Sequence, residues 1–403
     1  MMDQVLKPLL RNRVMTFLVV LQGAIACAIV CNLFFLAGLR FDRILRTSGA
    51  IENEIVYIQV QRASSQHRTV DYLENELGAL RQLPGVKAVS SVNQVLYGGS
   101  SWSTSINLAP QQEAANLTAS VYTGDRDFIE TLGLRLTRGR AFTTEEYQDW
   151  DDYEASESYA PAIIVSSAVG EKLFGDSNPI GRSIYSWGNK PSQIVGVVDK
   201  LAQPNDNAGN SDGYDYSIIV PVRVDRGNYL LRTDSSNRGE VMRQAQERLS
   251  TLDGRGSALG AATLEELRRS YYGGERAAMY LLLIVLITLI YISVGGLAGL
   301  LGHWIAQRDS STGIRRALGA TRKDIARHYL CETAFLSLVG ALFGVLLAYA
   351  FNALLMTAYE LPRMPLAYGA IGMVALIVLA QFAAIGAVRR ACQIDPALLA
   401  RSL

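Results

Sequence analysis

No Gly-x-x-x-x-Gly-Lys-Ser/Thr run occurs anywhere in this chain, so it carries no glycine loop of the kind that cradles nucleotide phosphates, and ATP is not bound here in the P-loop manner. Histidine is scarce. His67, His303 and His328 fall in separate parts of the sequence, without the neighbouring partners that a zinc site or a His-based triad requires. Cysteine is nearly as rare: Cys27 and Cys31 lie in the first apolar block, Cys331 at the start of the third and Cys392 in the tail. The long stretch from Gly38 to Arg276 therefore contains none, and it must be stabilised by its own core without disulfides. The 38 Lys and Arg residues almost balance 37 Asp and Glu, and a net charge of +1 with the basic residues gathered at block boundaries excludes a nucleic-acid footprint.

What is abundant is apolar sequence, 49% of the 403 residues, and it is concentrated. Residues Val14 to Ala37, Met279 to Leu301, Ala334 to Thr357 and Ala367 to Val388 contain no Asp, Glu, Lys or Arg, and each reaches the roughly 20 residues needed to cross a hydrocarbon core as a helix. Four transmembrane helices are expected. The first is a retained anchor and not a signal peptide, because its apolar run exceeds a signal core of about 7–15 residues and no small-residue cleavage site follows. Ahead of it, the segment 1–13 with Lys7, Arg11 and Arg13 is expected to lie in the cytoplasm. The short loop after the third span holds Glu360 and Arg363, whereas the loop 305–330 and the tail 389–403 are basic, so both termini and the basic loop are placed in the cytoplasm. Within the spans, Gln22, Asn32, Thr288, Ser293, Asn352 and Gln381 are polar but neutral, which suits interhelical hydrogen bonding better than an ion path. Gly295, Gly296 and Gly299, and the pair Gly340 and Gly344, allow close helix packing or dimerisation.

The segment 38–276 is domain-sized and faces the extracytoplasmic side. Asn53 to Gln61 alternates as a strand, Thr69 to Leu83 spaces Val70, Leu73, Leu77 and Leu80 as a helix, and Val86 to Leu96 returns to strand-like content. The rhythm recurs in Asn228 to Thr233, a helix from Arg238 to Leu252 through Val241, Ala245, Leu249 and Leu252, and Ala258 to Thr263. The two halves are expected to share one sheet. Between them an inserted subdomain, about 118–222, holds strands at Ala162 to Val165, Gln193 to Val198 and Ser217 to Val220, and a helix from Ser167 to Phe174 capped by Ser166 or Ser167. Two stretches read as loops: Gln203 to Tyr216, and Thr143 to Tyr159, whose seven carboxylates follow no calcium-loop spacing. Deleting Glu145 to Glu157 from such a solvated loop is expected to leave folding unaffected.

The loop 305–330 carries Arg308, Arg315, Arg316, Arg322, Lys323 and Arg327 against Asp309 and Asp324. Gly313, Ile314, Arg315, Arg316, Ala317 and Leu318 form a short helix with an apolar edge and two arginines, Gly319 and Ala320 a turn, and Thr321 with Asp324 a capping-box-like start of a long helix into the third span. Two readings of the arginines stand side by side: they set topology and meet anionic lipid headgroups at about 1 kcal/mol each, or the short helix seats in a groove of a soluble motor.

The run GIRRALGATRKDIARHYLCETAFLSLVGALFGVLLA resembles the signature of the FtsX-like permease family and its MacB-like branch. So do FIETLGLRLTRGRAF, AIIVSSAVGEKLFGDSNPIGRSI and IVGVVDK in the segment 38–276, and the tail IDPALLARSL. Ser311 and Thr312 stand where the family commonly has a Glu-Ile pair. The resemblance implies a membrane protein with four transmembrane α-helices and a large α+β extracytoplasmic domain between the first two. It implies a permease subunit of a mechanotransmission-type ABC transporter in a bacterial inner membrane, with Gly313 to Ala320 as the ATPase-coupling helix. This chain would bind no cofactor and be no enzyme by itself: ATP and Mg²⁺ would act through two copies of a separate ABC ATPase. A second, identical or homologous, permease chain, membrane lipids, a membrane-fusion adaptor and an outer-membrane channel are the implied partners, and a peptide, antibiotic or other amphiphile the cargo. The competing expectation is a regulatory or sensor subunit that passes motor state to an extracytoplasmic hydrolase or signalling partner.

Overall fold

The computed structural model describes residues 13–61, 70–99, 101–110, 112, 114–205, 213–224, 226–253, 258–307, 319–359 and 361–391. In chain order these form helix α1 (Arg13–Leu45), strand β1 (Ile55–Gln61), helix α2 (Val70–Arg81) and strands β2 (Val86–Ser91), β3 (Ser103–Ile106) and β4 (Leu117–Thr123). Next come α3 (Phe128–Leu132), β5 (Leu136–Gly139), β6 (Gln148–Asp149), α4 (Trp150–Ala155), β7 (Ala162–Ser166), α5 (Ser167–Phe174), β8 (Ser183–Ile184), β9 (Ser192–Val198), β10 (Ser217–Val220) and β11 (Val222–Arg223). The chain continues through β12 (Asn228–Thr233), α6 (Arg238–Asp253), β13 (Ala258–Thr263), α7 (Leu264–Tyr271), α8 (Gly273–Ala306), α9 (Arg322–Tyr359) and α10 (Leu366–Ala391). They fall into two compact units, one holding the long helices and one, Arg46–Gly273, holding every strand named here.

The helical unit follows from composition. Helices α1, α8, α9 and α10 pair the backbone of their interior turns within one segment, as a medium without water demands, and run 33, 34, 38 and 26 residues. Proline sets the one short connection: Pro362 and Pro365 cannot continue α9, and Pro365 Cα–C=O instead receives Tyr368 N–H at 3.1 Å as α10 starts. Helix α8 is the least covered of the four, with 11% of its most apolar stretch buried against 33% for each of the others.

In the strand-bearing unit, the order β13-β1-β12-β2 is entirely antiparallel between neighbours. The two β-α-β rhythms therefore interleave as a split pair: β12 lies between β1 and β2, and β1 between β12 and β13. Both helices pack on one apolar layer, with Leu73, Leu77 and Leu80 of α2 and Val241, Ala245 and Leu249 of α6 buried against Val56, Ile58, Val89 and Leu231. Leu252 is 38% exposed and leaves the stripe that its spacing suggested. Inside this layer the Tyr229 hydroxyl donates to the buried Glu76 carboxylate.

The inserted sheet runs β3-β4-β10-β7-β9-β5, with β8 also on β9. It takes in β3 and so starts upstream of the expected residue 118. Asn107 and Tyr185 exchange two backbone hydrogen bonds of 2.9 Å each, which join the β3 end of this path to the β8 end and close the sheet on itself. Helix α5 begins where expected, with Ser166 Oγ accepting Val169 N–H at 3.4 Å.

The reading of Thr143 to Tyr159 as a solvated loop is corrected. The segment contains a 3₁₀ turn at Thr144–Glu146, strand β6 paired in parallel with β11, and helix α4. Trp150 and Tyr153 sit three residues apart and so share a face of α4; they are 8% and 0% exposed and belong to the core of the closed sheet. Their rings lie 5.8 Å apart, and Trp150 is equally far from Trp102. The carboxylates of Asp151, Asp152 and Glu154 point the other way and stay exposed. Counting charges without the aromatic spacing hid a helix whose inner face is part of the core. Deletion of 145–157 would remove that face. Truncating Trp150 or Tyr153 to Ala is expected to cost about 3–5 kcal/mol, read as a fall in the thermal midpoint of the strand-bearing unit by tryptophan fluorescence; a midpoint within a degree of the parent would contradict the assignment.

Candidate functional site

Of the candidate coupling residues, Gly313, Ile314, Arg315, Arg316, Ala317 and Leu318 lie outside the described residues; Gly319 and Ala320 are described, directly ahead of α9. Gly319 has φ of +100°, a conformation that favours glycine, and opens onto free space. The box that follows is complete. Thr321 N–H donates to Asp324 Oδ2 at 3.0 Å, the Thr321 hydroxyl donates to the same oxygen at 2.5 Å, and Asp324 N–H returns a bond to Thr321 Oγ1 at 3.2 Å. Aspartate thus serves at the position where glutamate or glutamine is usual. The first turns of α9 are two-faced: Ile325 and Tyr329 are buried beside Leu301, Trp304 and Ile305 of α8, while Arg322, Lys323 and Arg327 are exposed. A cationic surface is therefore held rigidly at the place where the 308–318 segment joins the bundle.

Farther along, α1 and α9 touch closely because Gly340 and Gly344 have no side chains. A Cβ on Gly344 would stand 2.5 Å from Cys27 Cβ and 2.7 Å from Ala24 O, and one on Gly340 3.2 Å from Val20 O. The glycine pair is thus engaged inside the chain. The neutral polar residues mostly serve the same packing. Gln22 Nε2 donates to Ser293 O of α8 at 3.4 Å, Asn32 Nδ2 to Ala348 O of α9 at 3.2 Å, and Asn352 Oδ1 accepts Met364 N–H at 3.0 Å. Thr288 differs, since its hydroxyl donates to Ile284 O within α8.

One residue escaped the sequence reading. Glu332, only 2% exposed in α9, is a carboxylate inside a helix long and apolar enough to cross a membrane. Starting the third span at Ala334 left it out, and the signal that would have found it is helical phase, because 325, 329, 332, 333 and 336 share the buried side of α9. A buried acid in such a helix marks a functional position by default.

Among the described residues no three His, Cys, Asp or Glu side chains come together as metal ligands. An open groove of about 480 Å³ beside α5 is lined by Thr137, Arg138, Ser167, Glu171, Asp176 and Ser177, but the Ser167 hydroxyl is occupied with Val198 O, so the groove shows no activated nucleophile. One carboxyl with a raised pKa is Asp125, 3% exposed, where β4 gives way to α3. Burial pushes its pKa up to about 6, against the opposing hydrogen bond from Ser90 and the charge of Arg81. Its oxygens accept Ser91 N–H at 3.4 Å and Asp127 N–H at 3.1 Å, next to the Arg81–Asp127 ion pair at 2.8 Å. It lies beside the single bridge between Val92 and Gly124 that links the end of β2 to the inserted sheet.

Residues 15–252 match the family model for the MacB-like periplasmic core domain, and residues 283–396 that for the FtsX-like permease C-terminal domain. The pyoverdine export ATP-binding/permease protein PvdT of Pseudomonas aeruginosa is 27% identical over 365 residues, covering 86% of this chain and 50% of that protein. The macrolide export ATP-binding/permease protein MacB of Vibrio parahaemolyticus is 25% identical over 352 residues, covering 84% of this chain and 50% of the relative. The chain thus spans about half the length of the curated relatives it matches. Among solved structures, the periplasmic region of MacB from Actinobacillus actinomycetemcomitans aligns with 57% of this chain and 97% of that one, at 14% identity and a TM-score of 0.36. The extracellular domain of the noncanonic ABC-type transporter YknZ from Gram-positive bacteria aligns with 52% and 99%, at 18% identity and a TM-score of 0.35.

Asp125 supplies a titration with a definite sign. Its folded pKa is raised above the ordinary 3.8, so the folded state binds the proton more tightly; the burial penalty is fully present above pH 6 and is relieved as pH falls from 6 toward 4. The stability difference between Asp125→Asn and the parent is expected to shift in favour of the variant by roughly 2–3 kcal/mol between pH 4 and pH 7, measured by denaturant unfolding at the two pH values. A pH-independent difference would show that the carboxyl titrates normally.

Proposed function

The chain belongs to the family that joins a MacB-like periplasmic core domain to an FtsX-like permease domain, and from that premise we propose that it is the transmembrane subunit of an ABC transporter that works by mechanotransmission. ATP hydrolysis by two copies of a separate ATPase moves the element Gly313 to Ala320. The long helices carry the movement, and the strand-bearing unit delivers cargo outside the membrane. The observation that carries this reading is the division of labour within the chain: the neutral polar groups of the long helices are spent on packing, as with Gln22, Asn32 and Asn352, whereas 228 residues, Arg46–Gly273, fold as a separate unit. Glu332 is the one buried Asp, Glu, Lys or Arg among the described residues of these helices, and a single carboxylate makes no chain of ionic sites across the membrane, which suits a lever better than a conduit.

The proposed arrangement places both termini and the loop 305–330 in the cytoplasm of a bacterial cell and the strand-bearing unit outside the inner membrane, with a second permease chain completing the membrane part. Pyoverdine and macrolides appear in the names of the relatives, and the cargo class proposed here is the same in character: a peptide, an antibiotic or another amphiphile. A membrane-fusion adaptor and an outer-membrane channel would extend the path. ATP and Mg²⁺ enter through the ATPase partner, since the phosphate-cradling glycine motif is missing from this sequence.

Replacing Arg315 and Arg316 together with Glu reverses two charges on the proposed docking element. Membrane insertion is expected to be unchanged, while co-purification of the ATPase and ATP-driven export fall by about tenfold or more, the scale of one lost buried charge pair at an interface. Retention of both at parental levels would remove the docking assignment.

A further inference from the structure

Where the chain leaves α1 and where it enters α8, two short segments, 46–54 and 264–273, lie side by side within the strand-bearing unit, and one carboxylate joins them. Glu52, whose side chain is 11% exposed, accepts the Ser48 hydroxyl at 2.5 Å and the Tyr97 hydroxyl at 2.7 Å on Oε1, and Arg268 Nη1 at 2.8 Å on Oε2. Arg268 also donates from Nη2 to Arg46 O at 2.6 Å and lies 5.8 Å from the Tyr97 ring centre. The cluster thus ties the segment after α1, the linker between β2 and β3, and helix α7 to a single pair of oxygens.

The inserted sheet is fastened to the same place. Ala202 N–H donates to Ser48 O at 2.8 Å, and a Cβ on Gly49, at φ of +89°, would stand 2.1 Å from Lys200 O, so only glycine lets the two strands of chain approach so closely. Asn205 spans the remaining gap: its Nδ2 donates to Gly99 O and its Oδ1 accepts the Tyr271 hydroxyl, both at 2.9 Å. Tyr97, Tyr271 and Tyr272 stack edge to face around this point, with centroids 4.9–5.8 Å apart. Tyr97 itself is held at φ of +65°, a conformation that an L-residue adopts only when its surroundings compel it.

We infer that Glu52 is a positioning residue, the joint that locks the two segments adjoining α1 and α8 to each other and to the inserted sheet, so that a displacement of either segment is passed to the unit as a body and not absorbed by local bending. This rests on the reading of the chain as a transmitter of motion and specifies where transmission enters the strand-bearing unit. The physical reason is the low tolerance of a nearly buried carboxylate for losing its donors. Three donors hold it, Ser48 from its own segment and Tyr97 and Arg268 from two remote ones, and letting either remote segment move alone leaves a desolvated charge short of a partner.

The test is amide hydrogen exchange on the full chain in lipid nanodiscs, without ATP or partner, so that its outcome does not depend on whether the chain exports anything. Four amides report the four segments: Glu52 N–H to Ala50 O, Gly98 N–H to Val95 O, Ala202 N–H to Ser48 O and Tyr272 N–H to Arg268 O. In Glu52→Gln they are expected to exchange faster together, by about tenfold, while the amides of β1 and β12 keep their protection. Tyr97→Phe, which removes one donor and little volume, should give the same pattern at smaller size and guards against a variant that fails to fold. Acceleration confined to 50–54, or spread equally over β1 and β12, would overturn the inference, the first by showing an isolated contact and the second a general loss of stability.

Discussion

The membrane interior has no water to satisfy a polar group or to screen a charge, and that single constraint arranges the rest of this protein. It forces the spanning segments into helices, because only a helix pairs its backbone within one segment, and it sends nearly every ionisable side chain to the helix ends. Association of the helices then depends on close contact and a few hydrogen bonds, since apolar side chains gain nothing by leaving lipid of equal polarity. Gly340 and Gly344 let α9 lie against Val20, Ala24 and Cys27 of α1, and Asn32 adds a bond to Ala348 O. Charges stand at the helix ends: Arg322, Lys323 and Arg327 at the start of α9, and Glu275 of α8 between Arg40 and Arg43 of α1, at 2.5 and 2.9 Å.

The strand-bearing unit solves a different problem, that of being rigid without disulfides. Its first sheet interleaves two β-α-β units, so the chain passes through the sheet twice and each half supplies the central partner of the other. Its second sheet closes on itself through Asn107 and Tyr185 and encloses Trp150 and Tyr153. Side-chain amides bind the two together: Asn93 and Gln94 donate to Val121 O at 2.8 Å each, Asn93 Oδ1 accepts Thr123 N–H at 2.9 Å, and Gln94 Oε1 accepts Trp102 N–H at 2.7 Å. These bonds do the work of an extra strand at the edge of β4. Carboxylates occupy the junctions, Glu52 and Asp125 in nearly buried settings and Glu54 between Arg232 and Lys87, which explains why an ordinary charge balance across the chain hides strongly structured electrostatics within it.

The curated relatives carry both ATP-binding and permease functions in one name, and this chain spans about half of their length. Asn32, Asn352 and Glu52 are tied into packing or junctions, while the buried Glu332 of α9 stands apart as an ionisable group inside a candidate span. Movement can reach the strand-bearing unit through two covalent connections, after Leu45 and before Gly274. Both enter it within a few residues of Glu52 and Arg268, where a force applied to the chain would first meet the fold.

The presence of four long apolar helices, the strands β7, β9, β10, β12 and β13, and the cap at Thr321 were legible in the sequence, because each depends on neighbours within one or two turns: unbroken apolar runs, alternation, a Thr and an Asp three apart. Partner choice was not. That β12 separates β1 from β2, that Asn107 meets Tyr185 and that Glu52 meets Arg268 are decided across 78 to 216 residues of chain, where local periodicity carries no information. Burial was the other unread quantity. The carboxylates around Trp150 and Tyr153 marked the segment as solvated until the closed sheet put its aromatic face inside, and Glu332 looked like a flank of the third span until packing turned its side of α9 inward. Local pattern determines which segments can form helix or strand and which are apolar enough to span a membrane; only the folded chain decides which faces meet, because burial depends on partners far away in sequence.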